Sequence, residues 1–504
     1  MSSCLSLLLP LAGAYTVSYW HPAGTRCEEG DVNALFEYRG TWHLFHQFRN
    51  RPRTSIGHHS STDLLRWAQL SDALESGNAT DEQCYDGGAS LVPHPTTGAP
   101  VPMLMIDGGC ARKGKPGPSC MESSGDNTGG VIAFPSDPSD PNLTHWDRQG
   151  PTKWEPCNSS AWPSPIWLNP VTKKYNLVAV HGFGEARFEA EDASFTKWKL
   201  ADPAFFSGVR GLGGGMWHAI PPNVDGVHSK PWATHIFQGA LGHAFNGLPN
   251  FIMGVYDPKA QTFTNISKPM LIDAGGGVDY GQLSWQQNTK KDGRCLFVSW
   301  LRLTEPGPPD CGTQGQLTAI RDLRYDPRLD RLVHLPIAEY YQLRSSSALF
   351  SDKELKLQAG AAPTILYGGK EGIAMDAEFN ISVPSDSSAM DVQFGLRCFM
   401  HLGAYCTEGV NITLQVASPH ADGGRQVTMH VDYKYHVTVA FPLLAGESVL
   451  PLRVLSDLRS LEIFAGFGRG VVSITMLSEY GVVTAASAAA PPTLVSAAAW
   501  ALSL

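Results

Sequence analysis

The stretch Ser61–Trp67, STDLLRW, decides how the first two-thirds of the chain is read, because it returns in loose form three times. SDPNLTHW occupies Ser139–Trp146, EDASFTKW Glu191–Trp198 and YDPKAQTF Tyr256–Phe263, at separations of roughly 50 to 80 residues. Each copy sets an Asp a few residues ahead of an aromatic. Asp accepts hydrogen bonds from the backbone of a tight turn, and an aromatic side chain suits the half-buried strand that follows. Some copies come after an apolar run such as YNLVAV (Tyr175–Val180) or FIMGV (Phe251–Val255). A turn unit at this period is what radial blades of four short strands produce; the competing reading is a coincidence of turns and aromatics.

Composition favours strands over helices. With 51 Gly, 36 Pro and 10% aromatic residues in 504, the chain suits many short strands joined by turns. Beyond about residue 345, runs such as NITLQVA, YHVTVAF, PLRVLSD and RSLEIFA alternate at period two, as in an antiparallel sandwich. Between them Pro336–Phe350, PIAEYYQLRSSSALF, has helix-like apolar spacing and reads as a linker. The expected organisation is a signal segment at 1–14, a bladed β-domain at 18–335, a linker at 336–350, a β-sandwich at 351–482 and an Ala/Ser-rich tail at 483–504. The tail's apolar end is too short to span a bilayer and is interrupted by Pro491 and Pro492, so it reads as disordered rather than as an anchor signal.

The formal net charge is −9 with no Lys/Arg stripe, which argues against nucleic acid and anionic membrane surfaces as partners. The opening MSSCLSLLLPLAGA ends an apolar run in Ala12-Gly13-Ala14, a small-x-small cleavage pattern, though no Lys or Arg precedes the run and a buried strand is the alternative. Six Asn-x-Ser/Thr acceptors, at Asn78, Asn142, Asn158, Asn265, Asn380 and Asn411, fit a secreted or vacuolar-lumen protein. Ten cysteines fit it too, because close pairs such as Cys110/Cys120 and Cys398/Cys406 bracket loops rather than metal knuckles. Loss of Cys4 with the signal would leave nine, hence at least one unpaired thiol.

Gly30–Gln47, GDVNALFEYRGTWHLFHQ, sets a carboxylate in a turn just before two strands, a placement that suits a nucleophile and equally a turn cap. Here the chain resembles glycoside hydrolase family 32, the invertases and fructan-acting enzymes. The family's Asn-Asp-Pro-Asn-Gly motif is matched by Gly30-Asp31-Val32-Asn33-Ala34 and its Tyr-His-Leu-Phe-Tyr-Gln run by Trp42–Gln47. Further stretches follow in family order: IGHHSSTDLLRWAQL from Ile56, YDGGAS from Tyr85, GGVDYGQLSW from Gly276 and LRVLSDLRSLEIFAGFGRGVVSI from Leu452. The resemblance spans roughly residues 20 to 480 and implies an all-β chain, a five-bladed β-propeller followed by a β-sandwich, with the site in the propeller funnel.

The family's retaining mechanism uses an Asp nucleophile and a Glu acid/base whose carboxyl groups lie about 5 to 5.5 Å apart. Asp31 matches the nucleophile. The family's Arg-Asp-Pro falls on Trp162-Pro163-Ser164-Pro165, so Ser164 stands where a sugar-binding carboxylate is usual and offers a weaker, uncharged hydrogen bond. The acid/base motif Trp-Glu-Cys falls on Trp217-His218-Ala219 within GGGMWHAIPPN (Gly213–Asn223). An imidazolium is a legitimate general acid and, once neutral, a general base; the opposing reading is a decayed site in which His218 fills space. The resemblance further implies sugar contacts from Asn33, Gln47, Trp217 and Asp279. Asp86, Glu155, Glu185 and Asp279 are the carboxylates that could substitute for the missing Glu, each more simply read as structural. Trp20, Trp67 and Trp285 could stack on sugar or pack between blades. No metal or organic cofactor is implied, since two side chains suffice. The expected function is cleavage of sucrose or fructan by an altered β-fructofuranosidase, or sugar binding without turnover.

Overall fold

A computed structural model describes residues 29–48, 54–75, 83–109, 131–151, 153–155, 164–181, 184–206, 212–241, 249–275, 278–283, 294–302, 315–352, 354–385, 388–401, 405–476, 480–487 and 493–503. The signal-like segment, Trp20, Trp285, Asn78, Asn158 and the Cys110/Cys120 pair lie outside these residues. The described chain is almost entirely β.

Five small sheets come first, each built from consecutive strands. The first is Glu29–Tyr38, Thr41–Phe48, Ser55–Ser61 and Ala68–Gln69; the second is Gln83–Pro93, Pro100–Gly109, Val131–Pro135 and Trp146–Pro151. The third runs Trp167–Leu168, Tyr175–His181, Gly184–Ala190 and Lys197–Phe206, with Lys153–Glu155 added in parallel at its edge. The fourth runs Leu212–Ala219, His235–Leu241, Pro249–Asp257 and Thr262–Thr264, and the fifth Val278–Leu283, Cys295–Arg302, Arg321–Asp326 and Arg331–Pro336.

The repeated motif sits at one place in each sheet, the turn between the third and fourth of its consecutive strands. Asp63, Asp140, Asp192 and Asp257 accept backbone N–H bonds there, from Leu65, Asn142, Thr196 and Lys259 among others. Each turn also holds one left-handed residue, Leu64, Leu143, Phe195 or Gln261. The fifth sheet has the same device without the aromatic: Asp326 accepts from Arg328 N and Asp330 takes the positive φ. The Asp side chain supplies the hydrogen bonds that make a strained residue tolerable.

Every adjacent pair of these sheets shares one apolar seam. Phe36, Phe45 and Ile106 join the first and second; Met103, Leu177 and Phe188 join the second and third. Val178, Trp217 and Phe237 join the third and fourth, and Ile236, Phe251 and Phe297 the fourth and fifth. Leu35, Leu44, Leu296 and Val298 join the first to the fifth, and the same cluster takes in Leu455, Phe464 and Val471 from the C-terminal part.

The C-terminal part is a seven-stranded and a six-stranded antiparallel sheet whose inner faces share one core, including Phe379, Phe394, Ile412, Leu452 and Ile463. Two expectations change here. Pro336–Phe350 is not all linker: it contains a 3-10 helix, Ala338–Leu343, and from Arg344 it is already strand Arg344–Asp352 of the seven-stranded sheet. The expected disordered tail at 483–504 instead holds strand residues wherever it is described. Val482–Ser487 belongs to the six-stranded sheet, and Thr493–Leu502 is an interior strand between Arg344–Asp352 and Met375–Ser382. Ala497 and Ala499 are fully buried opposite Phe379 and Ala377. Alanine has weak strand propensity, so the segment looks featureless until a flanking Phe needs small neighbours.

Cys398 and Cys406 form a disulfide, as their spacing suggested, and Cys295 is a buried free thiol. No helix among the described residues is long and apolar enough to cross a membrane.

The five-sheet part and the sandwich are joined by a buried ionic network. Arg321, at the start of a fifth-sheet strand, lies 2.8 Å from Asp273 and 2.7 Å from Glu462, with all three side chains buried. Ser473 receives a bond from Arg321 Nη2 and donates to Asp273, and Ala319 N donates to Glu462.

Arg321→Met is expected to cost about 3–5 kcal/mol in denaturant unfolding, because it leaves buried carboxylates without their cation; a loss below about 1 kcal/mol would mean that the network is dispensable. Truncation after Pro492 is expected to leave the sandwich unable to fold cooperatively. A soluble truncated protein with an unchanged melting midpoint would show that Thr493–Leu502 is not integral.

Candidate active site

The first strands of four sheets are edge strands, and these edges meet. Glu29–Tyr38 lies against Gln83–Pro93 and Val278–Leu283, and Leu212–Ala219 lies against the same two. Exposed ladder edges are thereby covered by one another. Each of these strands also carries extra residues near its start. In the first sheet Glu29 pairs with Phe48, Val32 with His46 and Ala34 with Phe45, so the register slips twice. The same slip falls between Cys84 and Gly87, Gly213 and Met216, and Val278 and Gly281. A bulge takes a residue out of the ladder and re-aims its side chain, which is why bulges gather beside active sites.

Asp31 and Asn33 fall in the two slips of the first strand, Asp31 half-buried and Asn33 buried. The backbones of Asp86 and Asp279 occupy the corresponding slips of the second and fifth sheets, while their side chains, like that of Glu155, lie outside the described residues. Gln47 is buried on the strand paired with that of Asp31.

Ser164 is buried and held by main chain. Its N–H donates to Val178 O at 2.8 Å, its hydroxyl donates to Pro165 O at 3.0 Å, and Val178 N–H donates to the hydroxyl at 2.9 Å. The hydroxyl proton is thus engaged in fastening the start of the third sheet.

His218 is buried on Leu212–Ala219, directly opposite Ile236. Its Nδ1 lies 2.8 Å from Ala219 O. A carbonyl only accepts, so Nδ1 keeps its hydrogen and Nε2 is the nitrogen that gains or loses a proton.

Trp217, expected at the sugar, points the other way along the strand. It is buried in the seam between the third and fourth sheets, with ring contacts to Trp167, Phe205, Tyr256 and Phe263 and a stack over His235 at 4.8 Å. Alternation along a strand forces this: with His218 turned toward the fifth sheet, Trp217 turns to the third. Trp67 likewise packs against the core beneath the first sheet.

Glu185, weighed as a substitute acid, is buried in the third sheet opposite Val180, and neither carboxyl oxygen has a hydrogen-bond partner among the described residues. Burial pushes its pKa well above the ordinary carboxyl value. Gln238 escaped the sequence reading; the available signal was one amide in the apolar run HIFQGAL, His235–Leu241.

The strands behind Asp31 carry two histidine pairs on opposite faces. His43 Nδ1 lies 3.0 Å from His58 Nε2, and His46 Nε2 lies 3.2 Å from His59 Nδ1. Burial pushes His43 and His46 down to about 4 and His59 to about 3; burial, then the neighbouring imidazoles, push His58 well below the usual histidine range.

The glycosyl hydrolases family 32 N-terminal domain matches residues 29–336. The chain belongs to glycosyl hydrolase family 32. Over 403 residues it is 25% identical to a fructan 1-exohydrolase of Bromus pictus, covering 74% of this chain and 62% of that protein. It is also 25% identical over 356 residues to an insoluble β-fructofuranosidase isoenzyme of Arabidopsis thaliana, covering 64% and 60%. The match thus spans about three-fifths of each relative's own length. Among solved structures, fructan 1-exohydrolase IIa from Cichorium intybus superposes with TM-score 0.77 at 16% identity, covering 96% and 97% of the two chains. An exo-inulinase from Aspergillus awamori superposes with TM-score 0.71 at 18% identity, covering 96% and 98%. These structures share the fold of this family 32 protein.

The buried histidines give a pH prediction. Their folded-state pKa values are lowered, so below about 6.5 the unfolded chain binds protons that the folded chain refuses. Stability is therefore complete above that pH and falls as pH drops toward 4, on the order of 1 kcal/mol per histidine per pH unit. Denaturant unfolding at pH 7 and pH 5 is expected to differ by several kcal/mol; equal midpoints would contradict the neutral-histidine assignment.

Proposed function

We propose that this family 32 protein is a five-bladed propeller through residue 336 followed by a sandwich from Arg344, and that it cleaves β-fructofuranosides such as sucrose or fructan with an altered acid/base pair. The likeness of the chain to β-fructofuranosidases and fructan 1-exohydrolases supports the substrate class. Related structures hold 1-kestose in the Cichorium intybus enzyme and fructosylnystose in the Schwanniomyces occidentalis one. The observation that carries the reading is the meeting of four bulged edge strands, one of which bears Asp31 and another His218.

Asp31 attacks the anomeric carbon and forms a covalent fructosyl intermediate. His218 Nε2, protonated, gives its proton to the leaving oxygen; neutral, it takes one from the water that releases the sugar. Asn33, Gln47 and Asp279 contribute to holding the fructosyl hydroxyls, while Ser164 grips weakly because its proton is engaged with Pro165 O. That engagement favours a second reading, a fructoside-binding protein without turnover.

We further propose passage through the secretory route. The Cys398–Cys406 disulfide supports it, as does the exposure of the glycosylation acceptors Asn142, Asn265 and Asn411. Asn380 is a poorer acceptor, half-buried with its amide donating to Ser496.

Purified protein assayed with sucrose and inulin between roughly pH 4 and 8 is expected to release fructose. Asp31→Asn is expected to lower kcat by about 10³-fold or more. Binding of either sugar by wild type and Asp31→Asn alike, with no fructose released, would establish the second reading instead.

A further inference from the structure

The six-stranded sheet breaks register where its disulfide lies. Strand Met390–His401 pairs regularly with Tyr405–Val416 as far as Leu396, which faces Val410, and pairs again at Phe399, which faces Glu408. Arg397 and Cys398 thus stand against Gly409, and the pairing with Val482–Ser487 slips at the same place. Arg397 is fully buried there with φ 52°, in the left-handed region that is strained for a residue bearing a Cβ. Such strain persists only where the surroundings hold it.

Two groups hold it. The first is the Cys398–Cys406 disulfide, which ties the bulge to the facing strand. Glycine makes room for it: a Cβ on Gly395 would stand 2.7 Å from Cys398 Sγ, and one on Gly409 2.7 Å from Cys406 Sγ. The second is the Arg397 guanidinium, whose Nη1 donates to Asp457 O at 2.6 Å and Nη2 to Leu458 O at 3.1 Å. Those carbonyls belong to the turn between Val449–Asp457 and Ser460–Ala465, on the other sheet of the sandwich. Ser460–Ala465 carries Glu462, which meets Arg321 of the fifth sheet. From the bulge, then, the six-stranded sheet grips the turn that leads into the docking strand.

We infer that Cys398–Cys406 is a redox-responsive lock on this grip: once a dithiol reduces it, the bulge relaxes and Arg397 lets go of the Asp457–Leu458 turn. The lock lies in the sandwich and does not depend on the proposed activity. Its two sulfurs are unequal in a way that suits exchange, Cys398 being buried and Cys406 half-buried. A reductant thiolate therefore attacks Cys406 Sγ. The S–S bond breaks as the mixed disulfide forms, and Cys398 leaves as a thiolate that takes up a proton. The reductant's second thiol, deprotonated, then displaces Cys406, which is protonated in turn. The protein has gained two electrons and two protons, and the reductant has become a disulfide.

Release follows from what remains. With the bond open, the left-handed backbone and the buried cation are still costly, and burial already pushes the Arg397 pKa down to about 10. A bulge freed from the facing strand relieves both.

The test exposes full-length protein to graded ratios of reduced to oxidised dithiothreitol under native conditions. Alkylation with mass spectrometry reads the state of Cys398 and Cys406, while amide hydrogen exchange reads residues 457–465. Reduction is expected with the rest of the chain still folded, and exchange in 457–465 is expected to rise about tenfold or more. The Cys398→Ser/Cys406→Ser double variant controls for other cysteines: its exchange should be raised from the outset and indifferent to dithiothreitol. Arg397→Met with the bond intact should raise exchange in the same segment, and reduction should then add less than about twofold, because both changes act on one grip. Wild type whose 457–465 exchange stays within about twofold on reduction, or whose bond opens only with global unfolding, overturns the proposal. An additive effect of reduction in Arg397→Met does so too. Should either variant fail to fold, the wild-type titration decides alone.

Discussion

One guanidinium joins the two halves of this molecule. Arg321 leaves the fifth sheet, meets Asp273 from the end of the fourth, and reaches Glu462 and Ser473 on two strands of the sandwich. Two carboxylates share one cation, and the excess negative charge is met by backbone N–H groups of Ala319, Gly275 and Ser473 and by the Ser473 hydroxyl. The approach is close enough that a Cβ on Gly275 would stand 1.7 Å from the Ser473 carbonyl oxygen. A buried network of this kind is weak evidence for net stability but specifies one arrangement strongly, since any other docking strands the charges. It also fixes the fifth sheet, whose first strand lies against those of Asp31 and His218.

The five sheets depend on a local device that the sequence does reveal. An Asp caps a turn and one residue enters the left-handed region, after which the fourth consecutive strand begins. Four copies were visible because an aromatic marks them. The fifth, at Asp326–Asp330, was not, because Arg331 and Leu332 follow where the others have an aromatic. Hydrogen bonding made the repeat, and the aromatic was only its most legible companion.

Backbone placement was more legible than side-chain direction. Asp31, Asn33 and His218 do lie on edge strands that meet, and that followed from motif order. Which way each side chain faces did not. Trp217 and His218 are neighbours, yet one builds a seam and the other turns to the fifth sheet, because a strand alternates its faces and the bulge between Gly213 and Met216 sets the phase. Ser164 offered a hydroxyl in sequence, and the fold engages it with main chain.

By itself the sequence determined the strand-rich class, the turns and the family 32 resemblance, because each rests on short-range chemistry or on the order of motifs. Tertiary structure decided the rest. It drew an alanine-rich end into the interior of a seven-stranded sheet, where Phe379 needs small neighbours. It buried four histidines as two pairs and raised the pKa of Glu185 by burial. These outcomes depend on burial and on which residue lies across the ladder, and neither quantity exists until distant strands have met.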